Sequence, residues 1–387
     1  MAKHSSNVAI LGSTGSIGCS TLEVIRASEG RFRVIGLTAH RRLPEACRQA
    51  AEFQPQWLVA TDAQAGARFG WDGLPAGTEV RCGHQALCDA VQTAEVDVVV
   101  AAIVGSAGLQ STWAAVDAGK IVALANKETL VVAGSLVMKL ARQRGATILP
   151  IDSEHSAVFQ CLHAGRHEDV KRIILTASGG PFREHSRQQL AEVTVEQALD
   201  HPTWDMGPKI TVDSATMMNK AFEIIEARWL FDLAPDQIEV LIHAQSIVHS
   251  MVEFRDGSVV SQLGPPDMKL PIQFALSYPH RWDGPAARFD VSQPVRLDFS
   301  PPDEDRFPAL RLGREVARQG GTTGAVLNAA NEAAVALFLD RKLGFTRIVP
   351  VCQSVLNHHD YDPSPTLEEL TRLDSWAREE VSRWICA

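Results

Sequence analysis

Two carboxylates, Asp152 and Glu154, are separated by one residue in the segment Pro-Ile-Asp-Ser-Glu-His-Ser at 150–156, directly after an apolar run. On extended backbone, side chains two residues apart point to the same side, so both carboxylates would converge while Ser153 faces away. The segment holds no lysine or arginine, and converging carboxylates repel each other unless a proton or a cation lies between them. Mg²⁺ and Mn²⁺ prefer such oxygen ligands. The segment therefore predicts a metal site, with a solvated acidic loop as the alternative.

A third metal ligand is expected from elsewhere in the chain, and the segment 217–226 offers one. Helical spacing would place on one face the polar residues Asn219, Lys220, Glu223 and Glu226. The alternative is a solvated helix face with an i,i+3 ion pair between Lys220 and Glu223, which is worth only about 0.2–0.5 kcal/mol. The loop that precedes this helix favours the functional interpretation.

That loop reads His-Pro-Thr-Trp-Asp-Met-Gly-Pro-Lys at 201–209, and its prolines and glycine exclude a regular element. Large apolar side chains in such a loop either pack down permanently or close over a ligand. With His201 and Lys209 beside Trp204, the pattern is consistent with a lid over an anionic ligand and equally with a packed loop. A phosphate site could be formed by hydroxyl, amide and ammonium groups, which are present at Ser178, Ser214, Asn219 and Lys220. Each serine taken singly is more often a cap or turn residue.

A glycine-rich turn follows the first predicted strand, where residues 11–18 read Leu-Gly-Ser-Thr-Gly-Ser-Ile-Gly. Glycines there allow the backbone to approach a pyrophosphate at the N-terminus of the next helix. The spacing departs from G-x-G-x-x-G, so nucleotide binding is predicted from the position of the turn in a βαβ unit, with a plain structural turn as the alternative. The predicted cofactor contacts in this turn are Ser13, Thr14, Gly15, Ser16 and Ile17.

The second predicted strand leads into His40, Arg41 and Arg42, where an NAD-binding chain usually carries Asp or Glu. Basic side chains accommodate a 2′-phosphate, so NADPH is favoured, with solvated arginines as the alternative. The nicotinamide is expected at the carboxyl ends of later strands, where the candidate contacts are Asn126, Lys127 and Glu128. Lys127 would either orient a substrate there or simply begin a helix. Gly207 of the loop is a further predicted cofactor contact.

The order of the predicted elements indicates an α/β chain in which helices and buried parallel strands position these groups. Residues 1–150 predict an N-terminal Rossmann-like NADPH domain, whose strands are expected at Val8–Gly12, Arg33–Thr38, Trp57–Ala60, Val96–Ile103, Ile121–Ala125 and Thr147–Pro150. Residues 151–285 predict a central α/β catalytic domain that binds metal and substrate, with a lid loop at about 198–209. A proline-rich linker is expected at 286–311, and a C-terminal all-helical domain at 312–387.

Within the central domain, a helix is predicted over Ser156–Ala164 and a strand over Lys171–Thr176. Asp256-Gly257 lies between alternating apolar positions, which is a strong hairpin signal. We therefore expect a hairpin of Glu239–Phe254 with Ser258–Leu263.

Composition excludes several classes of function. The 387 residues suggest two or three domains, and the formal net charge of -9 argues against a nucleic-acid-binding surface. Seven cysteines without a C-x-x-C pair indicate scattered thiols in a reducing compartment. The N-terminus leaves no room for a signal peptide, and no apolar run reaches about 18 residues, so we expect a cytoplasmic protein without a membrane partner.

At these motifs the chain closely resembles the 1-deoxy-D-xylulose 5-phosphate reductoisomerases, NADPH enzymes of the non-mevalonate isoprenoid pathway. The resemblance runs nearly end to end. It is carried by LGSTGSIG (11–18), LANKETLV (124–131), DSEHSAVFQ (152–160), ASGGPFR (177–183), HPTWDMGPKITVDSATMMNKAFEIIEARWLF (201–231) and QSIVHSMVEFRDGSV (245–259). The block at 201–231 is the most specific of these motifs.

The resemblance implies a homodimer that isomerises and reduces a small phosphorylated substrate, 1-deoxy-D-xylulose 5-phosphate, to 2-C-methyl-D-erythritol 4-phosphate. It implies one divalent cation, Mg²⁺, Mn²⁺ or Co²⁺, bound by Asp152, Glu154 and Glu223. The implied substrate contacts are Ser153, Glu154, Ser178, His201, Ser214, Asn219, Lys220 and Glu223. The catalytic set would comprise the three metal ligands with Lys127, His201 and Trp204, and Trp204 would lie in the lid.

Three positions depart from the pattern of the family: His40 stands where Gly is frequent, Ser156 where Asn is common, and Ala244 where Pro is usual. None of the three is an implied metal ligand, but His40 makes the adenosine contacts less certain. Two other functions remain open from the sequence. One is a metal-independent NADP dehydrogenase of the semialdehyde or homoserine type, and the other is a non-catalytic NADP-binding sensor.

Overall fold

The computed structural model of the protein describes residues 5–204 and 206–386. The strands are Ser6–Leu11 (β1), Phe32–Ala39 (β2), Trp57–Ala60 (β3), Glu79–Cys82 (β4), Val98–Ala101 (β5), Ile121–Leu124 (β6), Thr147–Pro150 (β7), Val170–Ala177 (β8), Ile238–Ile242 (β9), Val248–Phe254 (β10) and Val259–Leu263 (β11). The helices of the first half are Ser16–Arg26 (α1), Leu43–Phe53 (α2), Ala63–Arg68 (α3), His84–Val91 (α4), Leu109–Asp117 (α5), Glu128–Arg144 (α6), Ser153–Leu162 (α7), Arg187–Ala191 (α8) and Val195–Leu199 (α9). Those of the second half are Pro208–Thr216 (α10), Met218–Phe231 (α11), Lys269–Ser277 (α12), Ala309–Gln319 (α13), Thr323–Leu339 (α14), Ile348–His358 (α15) and Leu367–Cys386 (α16).

The chain divides into two compact units, and the first contains the described parts of Met1–Thr129, Val137–Ser156 and Asp267–Ala287. Its sheet has the strand order β4-β3-β2-β1-β5-β6-β7, and all neighbouring strands pair in parallel. Strands β3 and β5 are buried along their whole length, as expected for a sheet that helices cover on both faces. The predicted Rossmann-like fold is confirmed.

Strand β4 is the one element of this sheet that the sequence analysis missed. Its residues, Glu-Val-Arg-Cys, are exposed or half-buried because β4 lies at the edge of the sheet. An edge strand needs no continuous apolar run, so the pattern that indicated the other strands is absent here.

The second unit contains Leu130–Leu136 and the described residues of Ala157–Pro266 and Arg288–Ala387. Its sheet has the order β11-β10-β8-β9. The antiparallel hairpin of β10 and β11 around Asp256-Gly257 is confirmed, and Gly257 has a φ of +87°. The prediction of one long strand over Glu239–Phe254 is wrong. That stretch forms β9, parallel to β8, and then β10, with a reversal at Ser246, whose φ is +52°.

The C-terminal part of the second unit, α13 to α16, is helical as predicted. Helices α11 and α13 approach closely at Gly313, where an added Cβ would lie 2.6 Å from the Ala221 Cβ. Phe222 of α11 is fully buried in the same apolar core that includes Leu310 of α13. The α/β class with a helical C-terminal region is therefore confirmed. None of the described helices combines the length and the apolar character that a membrane crossing requires.

Candidate functional site

The segment that carries Asp152 and Glu154 begins a helix in the first unit. Strand β7 ends at Pro150 and α7 starts at Ser153, so the predicted extended backbone and the predicted helix start at Ser156 are both wrong. The Asp152 carboxylate accepts a hydrogen bond of 3.2 Å from the Glu154 amide, and its carbonyl accepts one of 2.8 Å from the Ser156 amide. Asp152 thus caps the helix, because its oxygens satisfy amides that have no partner within the first turn.

A basic side chain does stand beside Asp152, contrary to the sequence analysis. Lys127 Nζ lies 2.6 Å from Asp152 Oδ2, and the two side chains are 10% and 11% exposed. Lys127 precedes α6 at the end of β6, and Asp152 follows β7, the strand that pairs with β6. The carboxyl ends of neighbouring parallel strands lie at one edge of the sheet, so residues 25 positions apart become partners.

The charge of Asp152 is stabilised despite its burial. Burial by itself would raise the pKa of this carboxyl group, but Lys127 and His155 outweigh that effect and hold the pKa well below its usual value. His155 Nδ1 lies 3.4 Å from Asp152 Oδ1, and His155 is fully buried. The Ser153 hydroxyl donates a 2.5 Å hydrogen bond to the Glu154 carboxylate. Two carboxylates at the start of α7 are thus available as oxygen ligands.

Asn126, a predicted cofactor contact, positions the backbone around Lys127. Its Nδ2 donates to the carbonyls of Ile103 and Gly105, the second at 2.9 Å, and its Oδ1 accepts a 2.8 Å bond from the Thr129 amide. The side chain therefore ties the loop after β5 to the start of α6. Its neighbour Glu128 is also buried.

The glycine-rich turn has the geometry that an anion requires. Gly12 has a φ of +83°, and its amide donates a 2.8 Å bond to Thr38 Oγ1 of β2. Helix α1 starts at Ser16 with Gly15 as N-cap, so no side chain caps its first amides. A Cβ added at Gly18 would lie 2.4 Å from the Gly12 carbonyl oxygen, which shows how closely helix and turn approach. A helix N-terminus in this form binds a pyrophosphate.

The predicted contacts Ser13 and Thr14 are buried, whereas Ser16 is exposed and Ile17 is half-buried. The Ser13 hydroxyl donates to the Thr38 carbonyl at 3.1 Å, so this side chain joins β1 to β2. The Ser13 amide also donates to the Thr38 carbonyl, at 2.9 Å, and the Ser13 carbonyl accepts a 3.0 Å bond from Gln49 Nε2, so Ser13 holds the turn in place through its backbone as well.

The basic residues after β2 are exposed at the same edge of the sheet. Arg41 Nε lies 2.9 Å from Asp62 Oδ2, and the Arg41 side chain is 75% exposed. His40 Nδ1 lies 3.1 Å from Thr61 Oγ1, and Arg42 is exposed at the N-cap position of α2. When Nε of an arginine is occupied, as in Arg41, the other N–H groups of its guanidinium can still donate to a phosphate.

In the second unit, Glu223 of α11 is buried with two polar partners. Asn219 Nδ2 donates a 2.6 Å hydrogen bond to Glu223 Oε1, and Lys220 Nζ forms an ion pair with Oε2. Lys220 and Glu223 are 3% and 1% exposed. The i,i+3 ion pair of the alternative interpretation is present, but its solvated helix face is wrong, because the pair is buried. The cluster holds carboxylate, ammonium and amide groups away from water, where each interacts strongly with a charged ligand.

The loop before α10 is organised by His201. Its Nδ1 accepts hydrogen bonds from the amides of Thr203 and Trp204 at 3.2 and 3.0 Å, so the proton of the neutral ring is on Nε2. Nε2 then donates to Ser178 Oγ at 3.2 Å. His201 thus connects one predicted substrate contact, Ser178, to the lid residue Trp204, whose half-buried ring lies 6.4 Å from that of His249.

The two glycines after Ser178 bring it toward helix α10. Gly180 has a φ of +68°, and an added Cβ there would lie 2.8 Å from the Ser214 carbonyl oxygen. The backbone of the 178–180 turn therefore packs on α10 at Ser214, and only glycine fits. Gly207 is exposed as the N-cap of α10, and Asp205 lies outside the described residues.

Protonation of His201 is expected to weaken substrate binding. Burial lowers its pKa below the usual value of about 6.5, so the folded state binds the proton less well than the unfolded state. The neutral His201 ring therefore contributes to the free energy of unfolding above about pH 6.5, and this contribution is lost as pH falls through the lower pKa of the folded state. Below that pKa, an Nδ1 proton would break the hydrogen bonds to Thr203 and Trp204. We expect the substrate KM to rise on this acidic limb, measured by steady-state kinetics. A His201→Gln variant should lack the limb, and an unchanged profile would contradict this role of His201.

Lys209 does not lie free beside the lid, contrary to the sequence analysis. It belongs to α10, forms a 2.9 Å ion pair with Asp213, and places its ammonium 4.9 Å from the centroid of the Phe222 ring. The partnership of Asp213 with Lys209 was missed altogether, as was that of His155 with Asp152, one helical turn earlier. The i,i+3 and i,i+4 spacings were the available signal.

Three family models match consecutive parts of the chain. Residues 8–134 match 1-deoxy-D-xylulose 5-phosphate reductoisomerase, residues 148–231 match the C-terminal domain of the same enzyme, and residues 263–380 match the DXP reductoisomerase C-terminal domain. Together they include every predicted metal and substrate residue.

Curated proteins named 1-deoxy-D-xylulose 5-phosphate reductoisomerase match over nearly their full length. The protein of Heliobacterium modesticaldum is 52% identical, covering 96% of this chain and 95% of its own. That of Chlorobium chlorochromatii is 49% identical, covering 98% of this chain and 99% of its own.

Solved structures agree. A DOX-P reductoisomerase complex with NADPH, fosmidomycin and magnesium has a TM-score of 0.92 at 43% identity, covering 98% of both chains. The Zymomonas mobilis enzyme with NADPH has a TM-score of 0.91 at 43% identity, covering 98% of this chain and 99% of its own. The resemblance predicted from the motifs is confirmed.

Proposed function

Because the chain belongs to the 1-deoxy-D-xylulose 5-phosphate reductoisomerase family, we propose that it converts 1-deoxy-D-xylulose 5-phosphate to 2-C-methyl-D-erythritol 4-phosphate with NADPH and a divalent cation. The observation that carries this proposal is 52% identity to a reductoisomerase over 96% of the chain. Family membership also disfavours a metal-independent dehydrogenase of the semialdehyde or homoserine type. The buried carboxylates of both units supply the donor chemistry that a metal-dependent isomerisation needs.

We propose that Asp152 and Glu154 from the first unit and Glu223 from the second bind the cation. All three offer carboxylate oxygens, which suit Mg²⁺, Mn²⁺ and Co²⁺, and a related solved structure contains magnesium. A bound cation of this kind polarises carbonyl and hydroxyl oxygens as a Lewis acid. Lys127 keeps Asp152 ionised, so this ligand is ready to bind without losing a proton. In the same way, Lys220 and Asn219 orient the Glu223 carboxylate.

We propose that the substrate phosphate binds to hydroxyl, amide and ammonium groups of the second unit, which belong to Ser178, Ser214, Asn219 and Lys220. Ser153 and His201 are proposed as further substrate contacts. The phosphate does not react, so its binding free energy is available to orient the reacting carbons. His201, which donates to Ser178 and holds Trp204, would couple phosphate binding to loop closure. A closed loop would exclude water from the reactive fragment.

NADPH would bind along the carboxyl edge of the parallel sheet. The turn after β1, with Ser13 to Ile17, fits the pyrophosphate, and His40, Arg41 and Arg42 fit the 2′-phosphate. Bound NADPH supplies the hydride for the reduction. Asn126 positions the loop around Lys127 and Glu128, and Gly207 would contact the nicotinamide end from the lid.

Removal of the basic side chains is expected to reduce the preference for NADPH over NADH. In the double variant Arg41→Gln/Arg42→Gln, the Kd for NADPH should rise about tenfold or more, because each lost charge-assisted hydrogen bond is worth about 1.5–3 kcal/mol. The Kd for NADH should change little, since NADH has no 2′-phosphate. Both values can be measured by cofactor fluorescence. Arg26→Gln on α1, which breaks an exposed pair with Glu52, is the matched control. Equal loss of both cofactors would contradict the assignment.

We further propose that function follows the predicted domains: cofactor binding in 1–150, metal and substrate binding in 151–285 with the lid at about 198–209, a linker at 286–311 and a helical domain at 312–387. A homodimer is proposed as well. In support, the edge strand β11 exposes Val259 and Leu263, and Val291 is 82% exposed. Sedimentation should then give about twice the 42.1 kDa mass of one chain. A cytoplasmic location is proposed too, and the free thiols of Cys19, Cys47, Cys82, Cys88, Cys161 and Cys352 support it.

The decisive assay follows NADPH oxidation with 1-deoxy-D-xylulose 5-phosphate, with and without a divalent ion. We expect turnover that chelator abolishes and added Mg²⁺ or Mn²⁺ restores. Turnover that persists in excess chelator would favour a metal-independent dehydrogenase. Tight NADPH binding without turnover under any ion would favour a sensor.

A further inference from the structure

A buried ion pair that the proposed chemistry does not use lies along helix α10 in the second unit. Lys209 Nζ lies 2.9 Å from Asp213 Oδ2, and Asp213 Oδ1 accepts a 2.8 Å hydrogen bond from Asn331 Nδ2 of α14. Asp213 and Asn331 are 1% and 0% exposed. Desolvation offsets most of the stability that a buried ion pair provides, so such a pair calls for a role in orientation.

The cluster connects α10 with two other helices of the unit. The Lys209 ammonium lies 4.9 Å from the ring centroid of Phe222 on α11, the residue before Glu223. Asn331, the hydrogen-bond donor to Asp213, belongs to α14.

Helix α10 also carries Ser214, the residue that directly follows Asp213. Neighbouring residues on a helix point about 100° apart, so Asp213 can face α14 while Ser214 faces elsewhere. The backbone at Ser214 packs against the turn at Gly180, where an added Cβ would lie 2.8 Å from the Ser214 carbonyl oxygen. Helix α10 ends at Thr216, and the single residue Met217, with a φ of +64°, separates it from α11. Because the joint is this short, the orientation of α10 sets Ser214 relative to α11.

We propose that Lys209, Asp213 and Asn331 are positioning residues for the substrate phosphate, because they hold Ser214 in register with Asn219 and Lys220. The proposal rests on the proposed function, in which those three residues bind the phosphate. It assigns the C-terminal helical region a part in substrate affinity through Asn331. None of the three positioning residues touches the reacting atoms.

The test is the double variant Lys209→Met/Asp213→Asn, which removes both charges and keeps an acceptor for Asn331. Replacement of a buried ion pair by neutral groups of similar size leaves stability nearly unchanged, so we expect a melting temperature within a few degrees of wild type. The KM for 1-deoxy-D-xylulose 5-phosphate should rise about tenfold or more, since small displacements of binding groups have large effects. The kcat should fall less, and the Kd for NADPH should not change.

Inhibition by inorganic phosphate distinguishes a positioning role from a purely structural one, because a structural role would leave the inhibition constant unchanged. As a competitor of the substrate, phosphate should inhibit the double variant with an inhibition constant raised by about the same factor as KM. Asn331→Ala, which leaves the ion pair intact, should raise both constants in the same direction by a smaller factor. If both variants fold and keep the wild-type KM and phosphate inhibition, the positioning role is wrong.

A half-buried ion pair in the same unit is the control. Arg378 of α16 pairs with Glu332 of α14 and with Asp374, and neither of these partners belongs to α10. Arg378→Met/Glu332→Gln should leave the KM for the substrate unchanged, and an equal rise in KM there would overturn the specific role of Lys209 and Asp213. Failure of the wild-type protein to turn over the substrate would reject the proposed function instead. If the wild-type protein turns over the substrate and the variants keep the wild-type KM and phosphate inhibition, only the positioning role is rejected.

Discussion

The variant Glu223→Gln is expected to lose at least about 10³-fold in kcat while its Kd for NADPH stays near the wild-type value. Lewis-acid catalysis is worth several kcal/mol, and each 1.36 kcal/mol corresponds to a tenfold change in rate. Asn219 and Lys220 contact different oxygens of Glu223, so glutamine keeps the size of the side chain and an acceptor for one of the two. Turnover should be measured by NADPH oxidation over a titration of Mn²⁺, and cofactor binding by fluorescence.

The control for this variant is Glu253→Gln in the same unit. Glu253 of β10 is buried and ion-paired, with Lys171 and Arg172, but lies in no predicted site. It should keep nearly full activity. Ordinary activity of Glu223→Gln at every Mn²⁺ concentration, limiting ones included, would remove Glu223 from the catalytic metal site.

The second large effect is expected for Lys127→Met, which leaves Asp152 buried without its ammonium partner. Removing one member of a buried ion pair costs about 3–5 kcal/mol of the free energy of unfolding. In wild type, the stabilisation from Asp152 is present above about pH 3.9, the pKa of the unfolded state, and is lost as pH falls through the depressed pKa of the folded state. In the variant, burial is no longer offset by Lys127, so proton binding by Asp152 moves to higher pH.

Urea unfolding should measure this loss, and a double-mutant cycle should identify its cause. Lys127→Met/Asp152→Asn has no buried charge at this position, so it should recover much of the lost stability. Both variants should be inactive, because Lys127 and Asp152 belong to the proposed catalytic set. Lys269→Met breaks only longer, more exposed pairs with Glu23 and Asp267 and should cost less than about 1 kcal/mol. Equal destabilisation of the single and double variants would show that Asp152 gains nothing from Lys127.

Much of the architecture followed from local patterns. The parallel sheet was predictable because its inner strands are continuous apolar runs, and the hairpin of β10 and β11 because Asp256-Gly257 suits a tight turn. The edge strand β4 and the division of Glu239–Phe254 into two strands were not. Whether an apolar stretch forms one strand or two depends on its partners, and here β9 and β10 pair with opposite sides of β8.

The segment at 150–156 was also predictable only in part. Carboxylates at Asp152 and Glu154 were visible in the sequence, but their backbone was predicted to be extended, whereas Asp152 caps α7. The helix begins here because the Asp152 carboxylate accepts a hydrogen bond from an amide of the first turn. This effect is local, so an Asp just before a helical segment was an available signal in the sequence. The ion pair with Lys127 is different, since it depends on the pairing of β6 with β7.

The sequence by itself determined the family, the kinds of functional groups and their order along the chain, because motifs and residue types are written locally. Only the tertiary structure decided which charges are buried and which partner each one has. It placed Lys127 against Asp152, Lys220 against Glu223, and Lys209 against Asp213 rather than in the lid. Partners such as Asp213 and Asn331 are 118 positions apart, and helix packing alone brings them together. Burial strengthens the attraction within each pair, because the surrounding low dielectric screens it less, and it makes the loss of one partner costly.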